Sequence, residues 1–578
     1  MFNKNLELLE KYNKILASKV KNIPLDIASE HIGALKSEKG EYILVRDGKY
    51  IDDTPSPLEA AKTIYDEQIK TALSRHDFIV IFGLGLGNLL DYTHTKSMCS
   101  IIVYEPDINI LRFTLEYVDL TKYFADGRLY ITDNVSECTN YISEKYLIDD
   151  KIEFLYLKNY LMQHSSEFTL LTERIYDVCQ SKIIDLNTIK KLSKYWVKNI
   201  ICNSLDCSKN YPVNLLENKF KNKTALIIGA GPSLKDNLEK IKNNRDKFVI
   251  FAIHRTLETL RINDITPDFC VVTDSNWVSL SITKDTKYLQ DINFIADIKA
   301  DNYLKKIPVK TFFTYYSQNN IFSNRLQTKL SDDVKTYETG GTGTICAYRC
   351  AKFMGFKNMI FVGLDLAFKD DTAYCDGKIA SVNSANSVNI HGVVMPTTEV
   401  KSVTGEYVKT RADYANFIKQ FEMLFARDVS SNFYNLSTFG AFINGMKYVS
   451  ADELSLNDDI VSSENIINDV INSNSEVSEK ILNVSREIFK EEKLKIKPII
   501  DLINEWFEMY AEHPSFFEYA TNIITAITST MILQDCVQIE FIKFSKLVLS
   551  KNIEEKRKFL QELFTLILNY YKNLDNLI

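Results

Sequence analysis

The sequence predicts an α/β protein: a large central Rossmann-like domain, a smaller Rossmann-like α/β domain before it, and an all-helical region after it. Three observations carry this. Residues 224–228 form a short apolar, β-branched run that stops at Gly229-Ala230-Gly231-Pro232-Ser233, before a helical pattern begins at Leu234. Further short apolar runs alternate with helical stretches as far as residue 363, the pattern of a largely parallel sheet covered on both faces. Glycine disappears after Gly445, and helical spacing of apolar residues continues to Ile578.

Composition narrows the function classes. A chain of 578 residues holds several domains, and 45% hydrophobic with 25% charged residues is ordinary for a globular protein. The net charge of −7, without a block of five basic residues, argues against a nucleic-acid surface. No apolar segment follows a basic start and no run of eighteen uncharged apolar residues occurs, so no membrane association and a cytoplasmic location are expected. The 10 cysteines include no C-x-x-C pair and the 7 histidines no H-E-x-x-H, which removes zinc ribbons, dithiol redox motifs and the usual zinc hydrolases. The cysteines are expected as free, buried thiols.

Residues 1–70 read as a lead-in: Leu6, Leu8, Leu9, Tyr12 and Ile15 at helical spacing, then a hairpin around Arg46-Asp47-Gly48, then a second helix over 55–69. Residues 71–210 read as the first Rossmann-like domain with a helical connector over 166–210. A strand at 77–82 runs into Gly83-Leu84-Gly85-Leu86-Gly87-Asn88, and a strand at 100–103 ends near Glu105, where such folds place an acid on a ribose hydroxyl. The spacing is Gly-x-Gly-x-Gly and departs from the dinucleotide fingerprint. A structural unit and an S-adenosylmethionine site both stay open here.

The central domain spans 211–450, with strands expected at 224–228, 248–253, 268–273, 292–296, 309–313 and 359–363. Two glycine-rich turns, Gly229-Ala230-Gly231-Pro232-Ser233 and Gly341-Thr342-Gly343-Thr344, each open a helix, and free N–H groups there would hold a nucleotide phosphate. Polar residues stand at three strand ends: His254-Arg255, Thr273-Asp274-Ser275-Asn276, and Gly363-Leu364-Asp365. Each acid also reads as a plain N-cap or turn residue. Residues 366–400 read as a long loop carrying His391. Residues 451–578 read as a helical cap or oligomerisation domain.

Taken in order, Gly229 to Leu234, Ile265-Thr266-Pro267-Asp268-Phe269 with Thr273-Asp274, Gly340 to Gly343 with Gly363-Leu364-Asp365, and Asn435 to Gly440 resemble the motility-associated factor (Maf) glycosyltransferases. The resemblance implies a sialyltransferase-like, GT-A-like variant central domain. It implies transfer of a nonulosonic acid of the pseudaminic or legionaminic type from its CMP-activated form to Ser or Thr of flagellin. Flagellin and the CMP-sugar donor are then the partners. On this resemblance His391 is the base, Asp274 and Asp365 are further catalytic candidates, and the two glycine turns with His254 and Thr273 hold the donor nucleotide. Small bacterial sialyltransferases carry asparagine where this chain has Ala230. No organic cofactor is implied, no metal ligands are assigned, and a divalent metal stays open. An ATP-dependent pterin diphosphokinase, with Asp274 and Asp365 as Mg²⁺ ligands, and a non-catalytic flagellin-binding scaffold are the alternatives.

Overall fold

Runs such as Phe78–Phe82 and Thr224–Ile228 are apolar along nearly their whole length, which suits strands covered on both faces and fixes the layering of the molecule. The computed structural model describes the chain apart from residues 53–55, 126, 148–149, 206–209, 277, 370–371, 373, 376–380, 385–386, 391–392, 454–462, 549–551 and 575–578. The chain divides into two compact units, Met1–Thr188 and Ile189–Ile578. The division falls inside one long helix, α1 (Ser165–Leu205), which accounts for the helical stretch expected over 166–210.

The first unit is built on a parallel sheet of β1 (Phe78–Phe82), β2 (Ser100–Tyr104), β3 (Leu129–Thr132) and β4 (Ile152–Tyr156), in the spatial order β3-β2-β1-β4. The expected hairpin is present: Tyr42–Arg46 pairs with Lys49–Tyr50 across Asp47-Gly48, both at positive φ (47° and 74°), the backbone of a type I′ turn. A further strand, Ile32–Lys36, pairs with its other edge.

The glycine turn after β1 closes on protein. Glu105 is fully buried, accepting at Oε2 from Leu84 N (2.7 Å) and at Oε1 from Asp107 N (2.9 Å) and the Tyr160 hydroxyl. A Cβ on Gly83 would run into the Tyr160 ring. Both carboxylate oxygens that would meet a ribose are taken, and an aromatic ring packs against the turn where a ligand would lie. This geometry favours the structural unit over the S-adenosylmethionine site.

The second unit carries a nine-stranded, all-parallel sheet. Its strands are β5 (Asn210–Pro212), β6 (Thr224–Ile228), β7 (Val249–Ile253), β8 (Phe269–Val272), β9 (Asn293–Asp297), β10 (Thr311–Tyr315), β11 (Asn358–Val362), β12 (Asn432–Asn435) and β13 (Lys447–Tyr448). They lie in the order β13-β12-β11-β6-β7-β8-β9-β10-β5. The chain winds outward in one direction from β6 through β10 and in the other from β11 to β13. The reversal therefore lies between β6 and β11, where such sheets open a crevice at their carboxyl ends. Helices α2 (Leu234–Asn243), α3 (Gly343–Met354) and α4 (Ala412–Arg427) belong to this sheet.

Two expectations are corrected here. Residues 366–400 are not a structureless loop: Ser381–Ser384, Ser387–Ile390, Val393–Lys401 and Tyr407–Arg411 form a four-stranded antiparallel sheet. The polar Ser- and Asn-rich run hid a period-2 pattern. The second correction concerns the turn after β6. Three of its four N–H groups are already taken. Gly229 N donates to Val362 O, Gly231 N to Gly363 O (both 2.8 Å), and Ser233 N to Asp365 Oδ2 (2.8 Å). Ser233 Oγ and Ser437 Oγ donate to Asp365 Oδ1 at 2.5 and 2.7 Å. The buried Asp365 carboxylate thus sits at the N-terminus of α2, the place expected for a phosphate. Glycine is obligatory at Gly231, since a Cβ there would land on that carboxylate, and at Gly363, whose φ is +68° and whose Cβ would meet Gly229 O.

The C-terminal region is helical, led by α5 (Val477–Glu505). Its apolar faces bury with Phe322, Leu326 and Val197 in one core. The buried Glu492 of α5 pairs with Arg325 Nη1 (2.5 Å) and accepts from Met531 N (2.7 Å). No described helix is long and apolar enough to cross a membrane. The nine described cysteines are free thiols.

Two predictions follow from these contacts. Asp365→Ala leaves three donors facing a void and should lower stability by about 3 kcal/mol, read as the urea midpoint of the second unit, whereas Asp274→Ala, at a half-exposed side chain, should cost little. Burial raises the Glu105 carboxyl from 4.5 to about 7, against the lowering effect of the bonds from Tyr160 and Leu84. A raised carboxyl stabilises the fold fully below the unfolded value and loses that contribution as pH rises through the folded one. The first unit should therefore lose on the order of 3 kcal/mol between about pH 4.5 and 8. Urea unfolding at pH 5 and pH 8 should show this loss in the wild type and not in Glu105→Gln.

Candidate functional site

The carboxyl ends of β6, β7, β8 and β11 surround a cavity of about 280 Å³. Its floor comes from strand termini that the sequence marked: Ala230 and Gly231 after β6, His254 after β7, Thr273 and Asp274 after β8, and Gly363 with Leu364 after β11. One wall is the start of α3, where Gly341, Thr342, Gly343 and Thr344 all line the space. Gly229, Pro232, Ser233, Ser275, Asn276 and Asp365 stand outside the lining, and Gly229, Ser233 and Asp365 belong to the hydrogen-bonded lock of the β6 turn. His391 lies outside the described residues.

The two glycine turns therefore have different roles. In the first, only Ala230 keeps an amide N–H with no hydrogen bond among the described residues, and its carbonyl accepts from Cys375 N (2.8 Å). The second is an open helix N-terminus. Thr342 caps α3 by accepting from Thr344 N (3.1 Å), and its carbonyl accepts from Cys346 N. The amide of Gly343 has no partner among the described residues, and Gly343 itself lines the cavity. Crowding keeps this turn small, because a Cβ on Gly343 would come within 3.2 Å of Ile253 and one on Gly341 within 2.9 Å of Phe417.

His254 and Asp274, from neighbouring strand ends, meet in the cavity. His254 is 4% exposed, and its Nε2 lies 3.3 Å from Asp274 Oδ2 and 3.0 Å from Ser281 Oγ. Both contacts fall on one ring nitrogen, so the three residues do not form a relay. Burial lowers the imidazole's pKa from 6.5, Asp274 and Asp301 oppose that, and Arg255 adds to it; the lowered direction prevails. At neutral pH the ring is uncharged. With Nε2–H donated to the Asp274 carboxylate, the lone pair sits on Nδ1. Asp365, the other acid proposed for catalysis, is 1% exposed, and burial raises its pKa while Ser233 and Ser437 act in the opposite direction. Its oxygens are engaged in the lock, so it supports the site and does not face it.

The remaining wall is built by residues that the sequence reading did not assign. Arg411, at the junction of Tyr407–Arg411 and α4, has a side chain only 9% exposed. Its guanidinium forms a two-pronged pair with Asp413, donates from Nη1 to the Tyr374 hydroxyl (3.2 Å), and lies 4.2 Å from the centre of the Tyr414 ring. Arg255 stacks on Tyr374 at 4.8 Å. Phe417 completes an aromatic side. The sequence signal was present as Arg411-Ala412-Asp413-Tyr414 at a strand-to-helix junction, but the polar run before it concealed the strand. The cavity thus joins an open helix N-terminus, two arginines, a neutral histidine paired with a carboxylate, and an aromatic side. That set suits an anionic ligand with a flat ring system. Among the described residues no group of three or more His, Cys, Asp or Glu side chains could hold a metal ion.

Comparison with known proteins agrees with this architecture. The family model described as 6-hydroxymethylpterin diphosphokinase MptE-like matches residues 198–371. That stretch includes the strand ends and α3 but stops short of Tyr374, Arg411, Tyr414 and Phe417. An uncharacterized protein of Treponema pallidum (strain Nichols) is 26% identical over 168 residues, which is 28% of this chain and 78% of that protein. Among solved structures, a MAf glycosyltransferase from Magnetospirillum magneticum AMB-1 superposes with a TM-score of 0.67 at 15% identity, over 100% of this chain and 96% of that one. The chain has the fold of that glycosyltransferase over its full length.

Proposed function

We propose that this protein is a glycosyltransferase that moves a nonulosonic acid from its CMP-activated form to Ser or Thr hydroxyls of flagellin in the cytoplasm. The observation that carries the reading is the cavity, where an open helix N-terminus and two arginines face a neutral histidine across a space lined with aromatic rings. The shared fold with a glycosyltransferase supports it.

In this transfer the bond between the anomeric carbon and the phosphate oxygen breaks, CMP leaves with the bonding pair, and the acceptor hydroxyl loses its proton. The Gly343 amide, Arg255 and Arg411 meet the charge that grows on the departing phosphate without having to reorganise. The Tyr374, Tyr414 and Phe417 rings offer a surface for the base. The proton goes to a histidine. His254, held neutral beside Asp274, is the base that the cavity geometry supports, while His391 is the base that the family resemblance implies. The helical C-terminal region is proposed to bind flagellin or a second copy of the chain.

A second reading has one observation in its favour, the match of residues 198–371 to the pterin diphosphokinase family model. It would need Asp274 and Asp365 to share Mg²⁺. Asp365 would first have to give up the hydrogen bonds that hold the β6 turn.

Three measurements test the proposal. CMP should raise the melting temperature of the full chain, with the gain reduced in Arg255→Ala, whose affinity for CMP should fall about tenfold or more. A shift with ATP and none with cytidine nucleotides would favour the kinase. Co-expression with flagellin and a CMP-sugar pathway should add the mass of one nonulosonic acid per modified residue. His254→Ala should lower kcat by roughly 10²–10⁴ if that ring is the base, and the wild-type acid limb of kcat/KM should then lie below pH 6.5, because the free histidine's pKa is lowered. A normal rate in His254→Ala, with a large loss in His391→Ala, would transfer the base role to His391.

A further inference from the structure

Helix α1 carries two buried asparagines one turn apart, Asn199 and Asn203, 3% and 6% exposed. Their amides are bonded to the main chain of the segments that follow β8 and β9. Asn203 Nδ2 donates to Ile298 O (2.9 Å) and Ala300 O (2.8 Å). Asn199 Nδ2 donates to Ser275 O (2.8 Å) and Lys299 O (3.0 Å), and its Oδ1 accepts from Asn302 N (3.3 Å). Asp301 N donates to Asp274 O at 2.9 Å, and Asp301 Oδ2 accepts from Val278 N at 3.2 Å. One short side chain therefore ties the end of β8 to the segment that follows β9, with the two acids Asp274 and Asp301 in the tied stretch.

We propose that Asn199 is a positioning residue that fixes the main chain carrying Asp274, and Asp301 with it, so that the Asp274 carboxylate is held against His254. Asn199 does not line the cavity. Its effect runs through the carbonyl of Ser275, the residue next to Asp274. The need for such a tie follows from exposure: the Asp274 side chain is 54% exposed, and a solvated carboxylate on a loose strand end would swing away from the ring. Asparagine suits the position because both amide hydrogens and the oxygen are used and its few rotors cost little to fix. The inference rests on the transfer-site reading only for its kinetic arm.

The charged groups that face His254 are Asp274 and Asp301, which favour its protonated form, and Arg255, which disfavours it. Loosening both acids leaves burial and Arg255 to dominate. In Asn199→Ala the ring should titrate at lower pH than in the wild type, by about half a unit or more. The readout is NMR of the full chain with labelled histidine, assigned through His254→Ala. Asn203→Ala keeps the Ser275 tie beside Asp274 and loses only the bonds to Ile298 and Ala300, so it should lower the melting temperature and move the His254 titration clearly less than Asn199→Ala does, and Asn199→Gln should restore part of the titration. In the transfer assay Asn199→Ala should lower kcat about tenfold, with CMP affinity unchanged, because the phosphate-facing groups lie on α3 and on Arg255 and Arg411. Should Asn199→Ala not fold, Asn199→Ser carries the same comparison. An unmoved His254 titration, or an equal movement in Asn203→Ala, overturns the proposal. Absence of transfer with every CMP-sugar would instead count against the proposed function, and the titration would still decide the role of Asn199.

Discussion

The second unit depends on one carboxylate in an unusual place. Asp365 sits at the amino end of α2 and accepts from Ser233 N, Ser233 Oγ and Ser437 Oγ. It thereby joins the ends of β6, β11 and β12 around a single buried charge. A helix N-terminus attracts an anion because its first amides lack partners. Here the protein supplies its own anion. Gly229, Gly231 and Gly363 come so close around it that no side chain fits among them. The glycine-rich signature of this turn is thus a requirement of packing, and on the proposed function the ligand-facing work falls to the turn at α3, which lines the cavity.

That division explains the composition of the cavity. With α2 sealed, attraction for an anion comes from Gly343 and the two arginines. Of these, Arg411 is almost wholly buried and already paired with Asp413, so its guanidinium is fixed before any ligand arrives. A preorganised cation loses little freedom on binding, and the aromatic rings beneath Arg255 and Arg411 hold their planes in place. His254 stands among these groups with its pKa lowered by burial and by Arg255, against the opposing effect of Asp274 and Asp301 from the neighbouring strand ends.

Much of the sheet was legible from the sequence, since fully buried parallel strands announce themselves as unbroken apolar runs: β6 to β11 begin at Thr224, Val249, Phe269, Asn293, Thr311 and Asn358, each within two residues of the expected start. The antiparallel sheet over 381–411 was not legible, because its Ser, Asn and Thr residues alternate with too few apolar partners to show a period. The site was half legible. Strand-end polar residues and the Gly341–Thr344 turn could be found by position, and the structure gathers them. Arg411 and Tyr374 could not, because they reach the cavity from a segment whose path depends on that hidden sheet. The pairing of Ser233 with Asp365, 132 residues apart, leaves no local trace either.

Tyr160 in the first unit changes what its Rossmann-like sheet means for the cell. The phenol lies against Gly83 and bonds to Glu105, the two points at which such a sheet ordinarily grips a nucleotide. Tyr160 fills that corner of the turn from within the chain. Ligand-linked stability scales with free ligand over its dissociation constant. The contacts of Tyr160 with Gly83 and Glu105 are made within the chain, so their contribution to stability is the same at every ligand concentration.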